Sequence, residues 1–330
     1  MKSSLLQKVR RTIRKHGLCP PGAQVLVGLS GGSDSVALAL VLLGLAEHGE
    51  FSVVSVAHLN HRLRESAGRD EDFCREFARR HQLRIAVEAV DVQSYARTGK
   101  LSREDAARRV RYDFLTRTAS ELGASRIAVG HTEDDQAETF LLKLMRGAGL
   151  TGLAGIYPQR GMVVRPLLDT TRAELREYLR SRGETWVDDE TNEDLENPRN
   201  RIRHRVLPEL DRAAAAATRP AIARAAGLIR EDGQWLDEVA SARFEALGEA
   251  TADGLELDAA ALVAEPTAIL RRVLLRAMRH TAGEREVGLD HVEAVMALLG
   301  SGDGGADVPG TRVELRRGKL VLIQQKVSTK

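Results

Sequence analysis

The sequence contains few cysteines, few aromatic residues and no long hydrophobic run. Cys19 and Cys74 are the two cysteines among 330 residues, and neither stands in a CxxC or Cys/His spacing. This excludes a zinc or iron–sulfur site held by cysteines and indicates a reducing compartment. No run reaches the roughly 18 apolar residues of a membrane span, and Met1–His16 lacks the apolar core of a signal peptide. We therefore expect a cytoplasmic protein that does not bind membranes.

The net charge is also small, at +2, so any nucleic-acid partner must be bound by local basic patches. Two such patches are present. The segment 199–224 contains seven Arg and two acidic residues, and Thr311–Lys330 contains six Lys or Arg and one acidic residue. Aromatic residues make up only 4% of the chain, so we do not expect nucleic acid to be recognised mainly by stacking on aromatic side chains.

Short apolar runs alternate with helical patterns through the first part of the chain, which predicts a doubly wound, mostly parallel five-stranded α/β sheet. The predicted strands are Gln24–Leu29, Phe51–Ala57, Arg84–Val92, Arg126–Gly130 and Met162–Arg165. The predicted helices are Asp34–Glu47, Ala67–His81, Arg103–Leu122, Asp134–Met145 and Thr171–Arg182. We assign residues 1–212 to this domain, and we expect ligands beyond the carboxyl ends of its strands.

The pattern changes after Pro208, and we assign residues 213–330 to a smaller, mainly helical domain, whose basic tail would suit an RNA partner. Its predicted helices are Arg212–Leu247 with the Ala213–Ala217 run, Asp258–Leu262, Pro266–Thr281 and Asp290–Leu299. Gly300–Gly305 is expected to be a turn-rich break. A hairpin around Arg317-Gly318 is expected to join Thr311–Arg316 and Lys319–Gln324.

The strongest chemical signal is the segment that follows the first strand. Its residues are Ser30, Gly31, Gly32, Ser33, Asp34 and Ser35. Glycines allow the backbone N–H groups to surround an anion at the start of a helix, and the serine hydroxyls add further donors. The segment has neither a Walker A lysine nor GxGxxG, which argues against a P-loop NTPase or a Rossmann dinucleotide site. Asp34 would repel phosphate unless Mg²⁺ bridges the two, so we predict that Asp34 binds Mg²⁺; the alternative is a plain turn with Asp34 as helix cap.

Two pairs of charged residues have helical spacing. Asp135 and Glu138 are three residues apart, so on a helix they share one face, where they could hold an ammonium group and accept its proton. Asp134 could take the place of Asp135, and a solvated acidic first turn is the alternative. Arg108 and Arg111 have the same spacing, and one of them could stabilise charge at an α-phosphate; the alternative is an exposed basic face.

Two further groups complete the candidate site. His58 and His131 follow strand ends, where they would line the nucleotide pocket or else have only a structural role. Arg199, Asn200 and Arg203 lie in a segment where acidic residues give way to basic ones, and they are predicted to bind the phosphates of RNA or ATP.

The SGGxDS segment resembles the pyrophosphatase-type loop (PP-loop) of enzymes that cleave ATP between its α- and β-phosphates. Several more segments occur in the same order as in tRNA(Ile)-lysidine synthetases. These are His58–Arg64, Ala107–Tyr112, Gly130–Thr139, Arg146–Leu153, Asp188–Asn192 and Arg199–Arg203. Over about residues 20–210 the chain is therefore similar to that family, and the tail is similar only as a short helical appendage.

The resemblance implies an adenine nucleotide alpha hydrolase-like fold and a C–N ligase that needs ATP and Mg²⁺. Such an enzyme adenylates the wobble cytidine of the isoleucine tRNA with a CAU anticodon. Free L-lysine then attacks C2, and lysidine and AMP result. The oligomeric state is left open, with a homodimer as one option. A tRNA thiolase that acts on a pyrimidine and a nucleotide-binding module without catalysis are the alternatives, and the absence of a suitable cysteine pair disfavours the first.

Overall fold

A computed structural model describes residues 2–62, 67–188, 194–252, 254–283 and 285–325. The end of the His58–Arg64 segment, most of Asp188–Asn192 and the last five residues of the basic tail lie outside these ranges. The chain forms two compact units, Met1–Leu228 and Ile229–Lys330. Their division falls inside a helix, sixteen residues beyond the predicted boundary at 212/213. No helix in the described ranges is long and apolar enough to cross a membrane.

The first unit contains a six-stranded sheet in the order β3-β2-β1-β4-β6-β5. All neighbouring strands are parallel except the β5–β6 pair, which is antiparallel. The strands are β1 (Ala23–Gly28), β2 (Phe51–Asn60), β3 (Ile85–Ala89), β4 (Arg126–Ala128), β5 (Gln159–Arg160) and β6 (Val163–Val164). The five predicted strands are confirmed, and the additional β5 has only two residues. The strand order reverses between β1 and β4, and such a reversal is where ligands bind in this class of fold.

Helices cover both faces of this sheet. They are α1 (Lys2–Lys15), α2 (Ser33–Ala46), α3 (Ala67–Arg80), α4 (Val92–Gly99), α5 (Arg103–Glu121), α6 (Glu133–Met145), α7 (Leu150–Leu153), α8 (Arg172–Ser181), α9 (Pro198–Arg201) and α10 (Leu207–Ala213). A π-helical turn, Ile202–Val206, joins α9 to α10. Helix α2 is apolar on nearly all sides because it is packed between the sheet and helices α1 and α8. Its first turn is therefore held firmly at the end of β1.

Helix α11 (Arg219–Leu247) leads into the second unit, where a five-stranded antiparallel sheet has the order β7-β8-β11-β10-β9. The strands are β7 (Gly248–Thr251), β8 (Gly254–Asp258), β9 (Gly304–Val308), β10 (Thr311–Arg316) and β11 (Lys319–Gln324). The helices are α12 (Ala259–Val263), α13 (Thr267–Ala282) and α14 (Leu289–Ser301). Helices still predominate, and the β10–β11 hairpin is confirmed. The predicted break at Gly300–Gly305 is confirmed only at residues 302–303, because α14 ends at Ser301 and β9 begins at Gly304.

The predicted helix Arg212–Leu247 is confirmed from Arg219 to Leu247, but its predicted start was wrong. The chain turns at Ala214–Thr218, and Ala215 has a left-handed backbone with a φ of 47°. The Asp211 carboxylate accepts hydrogen bonds from the Thr218 N–H at 2.7 Å and from the Thr218 hydroxyl at 2.6 Å, and it also binds Arg219. These bonds fix the start of α11 in a new direction and outweigh the helix propensity of the alanines.

Candidate active site

The turn after β1 forms a nest of backbone N–H groups at the start of α2. Gly31 has a φ of 90°, which favours glycine, and Gly32 caps the helix without a side-chain hydrogen bond. In the described part of the chain, the N–H groups of Gly31 and Gly32 have no acceptor. The Ser35 hydroxyl accepts from the Ser30 N–H at 3.1 Å and donates to the Gly32 carbonyl at 2.9 Å. The turn is thus fixed from within while its N–H groups remain available for an anion.

Gly130 allows the end of β4 to approach this nest closely. A Cβ at Gly130 would lie 3.1 Å from the Asp34 carbonyl carbon and 3.3 Å from the Ser35 nitrogen. Both neighbours are backbone atoms of α2, so a side chain there would push the end of β4 away from the first turn of α2. The residues that follow β4 are therefore positioned against the first turn of α2.

Arg172, the first residue of α8, joins three carboxylates across the strand reversal. Its guanidinium nitrogens donate to Asp34 at 3.1 Å, to Asp135 at 2.5 Å and to Glu138 at 2.9 Å. Its backbone N–H donates to Asp134 at 2.8 Å. Asp34, the carboxylate predicted to bind Mg²⁺, thus lies close to Asp135 and Glu138, the pair predicted to bind an amine, and the Arg172 guanidinium lies between them.

Glu138 is fully buried and binds two more arginines. Arg199 Nε donates to it at 2.7 Å, and Arg203 donates through Nε at 2.7 Å and through one terminal nitrogen at 3.2 Å. Arg199 also reaches the Asp135 carboxylate at 3.4 Å. Arg199 and Arg203 can both reach this carboxylate because they lie four residues apart on α9 and the π-helical turn.

The number of cations around each carboxylate decides the direction of its pKa shift. Burial raises the pKa of Asp34 and the charge of Asp135 adds to this effect, because one arginine, Arg172, and a hydrogen bond from Ser33 do not offset them. Burial also disfavours ionised Asp135, but Arg172 and Arg199 outweigh it and the pKa is lowered. Glu138 is the most buried, yet its three arginines lower its pKa as well. Asp135 and Glu138 are therefore held as carboxylates.

The three acidic residues at the start of α6 have different surroundings. Asp135 forms a capping box, since one of its oxygens accepts from the Thr132 N–H at 2.8 Å and the other faces Arg172. Asp134 points elsewhere and pairs with Arg219 at 3.1 Å. This geometry favours Asp135 over Asp134 as the partner of Glu138, and it argues against a merely solvated acidic turn.

The two arginines predicted on α5 differ in their surroundings. Arg108 and Arg111 are both exposed, and Arg108 stacks over the Tyr112 ring at 5.0 Å. Burial, and after it the charge of Arg111, lowers the pKa of His61 to about 4, and Arg111 also helps to lower the pKa of His131. Arg111 therefore faces the strand-end edge, and it is the better candidate for a phosphate contact.

The two predicted histidines lie near the nest. His58 is buried and its Nδ1 donates to the carbonyl of Leu29, the residue before the nest, at 2.9 Å. Its Nε2 is buried and has no hydrogen-bond partner in the described part of the chain. His131 is half-buried, and burial lowers its pKa to about 3. His58 thus supports the loop through the Leu29 carbonyl, and the His131 ring is neutral at pH 7.

Asn200 does not face the carboxylates. Its side chain is buried and its amide donates to the Asp194 carbonyl at 2.8 Å. Neighbouring Arg201 binds the carbonyls of Leu195 and Glu196. These contacts hold the segment that presents Arg199 and Arg203, while the direct phosphate contact predicted for Asn200 is still untested.

Sequence reasoning missed Arg172 and the role of Gly130. Arg172 stands at the start of the helix that follows the last parallel strand, and residues at that position reach the same edge as the nest. The strand-end rule could therefore have identified it. Gly130 is different, because its close approach to Asp34 is visible only in three dimensions.

A glycine-lined nest at a strand reversal, together with an acidic residue on the following helix, defines a protein of the PP-loop class. The family model of the PP-loop domain, a type of domain that uses ATP, matches residues 1–210. Among solved structures, the fold is similar to the U34-tRNA thiolase NcsA from Methanococcus maripaludis, with a TM-score of 0.57 and 16% identity. That similarity covers 70% of this chain and 80% of the other, and it shows the fold alone.

Curated proteins of similar sequence identify the family within the PP-loop class. The tRNA(Ile)-lysidine synthase of Symbiobacterium thermophilum is 39% identical over 96% of this chain and 68% of its own length. The tRNA(Ile)-lysidine synthase of Geobacter sulfurreducens is 38% identical over 90% of this chain and 63% of its own length. The chain belongs to the tRNA(Ile)-lysidine synthase family. It spans about two thirds of the length of these relatives.

Proposed function

We propose that the chain ligates lysine to C2 of the wobble cytidine in the isoleucine tRNA with a CAU anticodon. ATP first adenylates the cytidine O2 and releases pyrophosphate. The lysine amine then attacks C2, and AMP leaves as lysidine forms. The observation that carries the proposal is the Arg172 contact, which brings the PP-loop residue Asp34 and the pair Asp135 and Glu138 into one site.

The nest suits the phosphates of ATP. The free N–H groups of Gly31 and Gly32 and the positive end of α2 all favour an anion. Ser30 and Ser33 add hydroxyl groups, whereas the predicted Ser35 donor is used within the turn, and Arg111 faces the same edge. Mg²⁺, when bound, would neutralise phosphate charge, and Asp34 is the carboxylate that would hold it.

The carboxylates suit an ammonium group. Asp135 is the more accessible of the two, since 12% of its side chain is exposed and none of the Glu138 side chain is. Because the pKa of each is lowered, we assign both to binding and orienting lysine rather than to removing its proton. A lysine amine can reach Glu138 only if one of its arginines turns away, and Arg199 and Arg203 are the two that an arriving phosphate could attract.

We assign the tRNA to basic side chains in both units, and no single base contact is inferred. Arg199 and Arg203 would bind phosphates near the site. In the second unit, the β10–β11 hairpin presents Arg316 and Arg317, which are exposed, although Arg316 also pairs with Glu314. Because free lysine and tRNA would be the substrates, we assign the reaction to the cytoplasm. Light scattering would test whether the chain forms a homodimer.

The two cysteines do not favour the thiolase alternative. Cys19 and Cys74 are both buried, and burial raises the pKa of Cys19 to about 11 and that of Cys74 to about 12. Thiols with such pKa values are poor nucleophiles. The described residues contain no cluster of three or more His, Cys, Asp or Glu that could hold a metal ion.

The test is an incubation of the protein with ATP, Mg²⁺, labelled lysine and total tRNA. We expect lysine attached to one isoleucine tRNA, with equal release of AMP and pyrophosphate. Asp34→Asn should lose pyrophosphate release, whereas Asp72→Asn, an exposed acid on α3, should retain it. Sulfur incorporation, or ATP binding without turnover, would reject the proposal in favour of an alternative.

A further inference from the structure

The Arg172 guanidinium binds three carboxylates that come from two different helices. One nitrogen binds Asp34 in the first turn of α2, and the other two bind Asp135 and Glu138 in α6. Each nitrogen thus serves a different partner. We propose that Arg172 is a positioning residue that fixes the PP-loop carboxylate Asp34 relative to the amine-binding pair, Asp135 and Glu138. The activated cytidine and the amine are thereby held at the correct distance and orientation for attack.

The Arg172 side chain is itself anchored at its base. Its backbone N–H is bound by Asp134 at 2.8 Å, and the preceding residue, Thr171, forms a capping box with Glu174. The Lys8 ammonium holds Glu174 in turn, at 2.8 Å. The guanidinium therefore extends from a fixed helix start and is only 18% exposed, so it can hold the three carboxylates in a definite arrangement.

Only arginine can make this contact. A guanidinium is planar and directs its N–H groups along fixed directions, so it can bind three separate acceptors at once. A lysine at this position would keep the positive charge but present it at one atom. A lysine substitution therefore separates the effect of geometry from the effect of charge.

The charge balance predicts a distinctive kinetic result. Asp34, Asp135 and Glu138 carry three negative charges, and Arg172, Arg199 and Arg203 carry three positive charges. Without the charge of Arg172, the group becomes more negative and attracts an ammonium at least as well as before. Loss of Arg172 should therefore slow turnover without raising the KM for lysine. Loss of a true amine ligand should raise that KM.

The experiment compares Arg172→Gln, Arg172→Lys and Asp135→Asn with Arg180→Gln, a control on the same helix that lies over the Trp186 ring. We expect kcat to fall about 100-fold in both Arg172 variants, as for a small misplacement of reacting groups. The KM for lysine should stay level or fall in Arg172→Gln and should rise in Asp135→Asn. Full turnover in Arg172→Lys, or a raised lysine KM with normal kcat in Arg172→Gln, would overturn the inference.

The inference rests on the proposed function, and the two can fail separately. A wild-type chain that makes no lysine adduct overturns both, whereas an active wild type with an equally active Arg172→Gln overturns the inference alone. Circular dichroism shows whether each variant is folded. If Arg172→Gln is not folded, the kcat of Arg172→Lys tests the inference instead. This variant keeps the positive charge beside the buried carboxylates and loses only the contact with all three of them.

Discussion

Glu138→Gln should strongly destabilise the first unit, because the Glu138 carboxylate is buried among three guanidinium groups. Each of its oxygens accepts two of the four hydrogen bonds that Arg172, Arg199 and Arg203 donate. Glutamine has nearly the same volume, but its NH₂ cannot accept, so two of the four bonds are lost whichever way the amide turns. At about 1.5–3 kcal/mol for each bond to a charged group, the loss is about 3–6 kcal/mol. Breaking a buried ion pair costs a similar amount, about 3–5 kcal/mol.

The arginines are partly exposed and can relax toward water, so we expect a value near the lower end, about 3 kcal/mol. A loss of that size should lower the melting temperature of this unit by about 6–12 °C. The free energy of unfolding can be measured in urea by Trp186 fluorescence in a Trp235→Phe background, since these are the two tryptophans of the chain. Trp186 packs against the core of the first unit and reports on it.

The matched control is Glu133→Gln, five residues earlier on the same helix. Glu133 is half-buried, one of its oxygens has no hydrogen-bond partner in the described ranges, and burial raises its pKa. Removal of its charge should change the stability by no more than about 0.5 kcal/mol. If Glu138→Gln costs less than about 1 kcal/mol, or no more than this control, the three arginines do not depend on Glu138 and the reasoning is refuted.

Three further outcomes are expected. Gly130→Ala should lower the free energy of unfolding by about 1–3 kcal/mol, because the added methyl group would overpack against backbone atoms. It should also slow adenylation. Urea unfolding and pyrophosphate release measure the two effects, and unchanged values would contradict the close approach of Gly130 to α2. Arg199→Gln with Arg203→Gln should reduce the slope of log affinity for tRNA against log salt by about 1–2, and Arg201→Gln, whose side chain binds loop carbonyls, should not. His131 is neutral in the folded state down to a pH of about 3, whereas its unfolded pKa is about 6.5, so stability should decrease as the pH falls below 6.5. His131→Gln should flatten that decrease in urea unfolding between pH 7 and 5, and an unaltered slope would assign it to other groups.

The parts of the fold that are specified locally could be predicted from the sequence. The five parallel strands are continuous apolar runs, and the nest is a contiguous segment whose glycines and serines have a clear physical role. The Asp135 and Glu138 pair was also predictable, because helical spacing places them on one face. In each case the signal lies within about ten residues.

The remainder depends on contacts between distant residues. Arg172 meets Asp34 across 138 positions of the sequence, and no local pattern predicts that three carboxylates share it. The first two residues of strand β9 are glycines and fall within the predicted break, since this strand is stabilised by pairing with β10 rather than by its own propensity. The alanine run before α11 shows the reverse case, in which the hydrogen bonds of one aspartate outweigh a strong local preference.

The π-helical turn at Ile202–Val206 determines the direction in which the side chains that follow it point. The Leu207 N–H binds the Ile202 carbonyl five residues back, and both side chains are buried against Ala137 of α6. In an α-helix, two residues five apart point about 140° away from each other, so the wider turn lets both reach the core while Arg203 still faces Glu138. The wider turn accommodates one extra residue, since without it Leu207 would lie four residues after Ile202 and an ordinary α-helical turn would place both on one face. The wider turn is therefore what allows one short stretch of chain to serve the core and the charged site together.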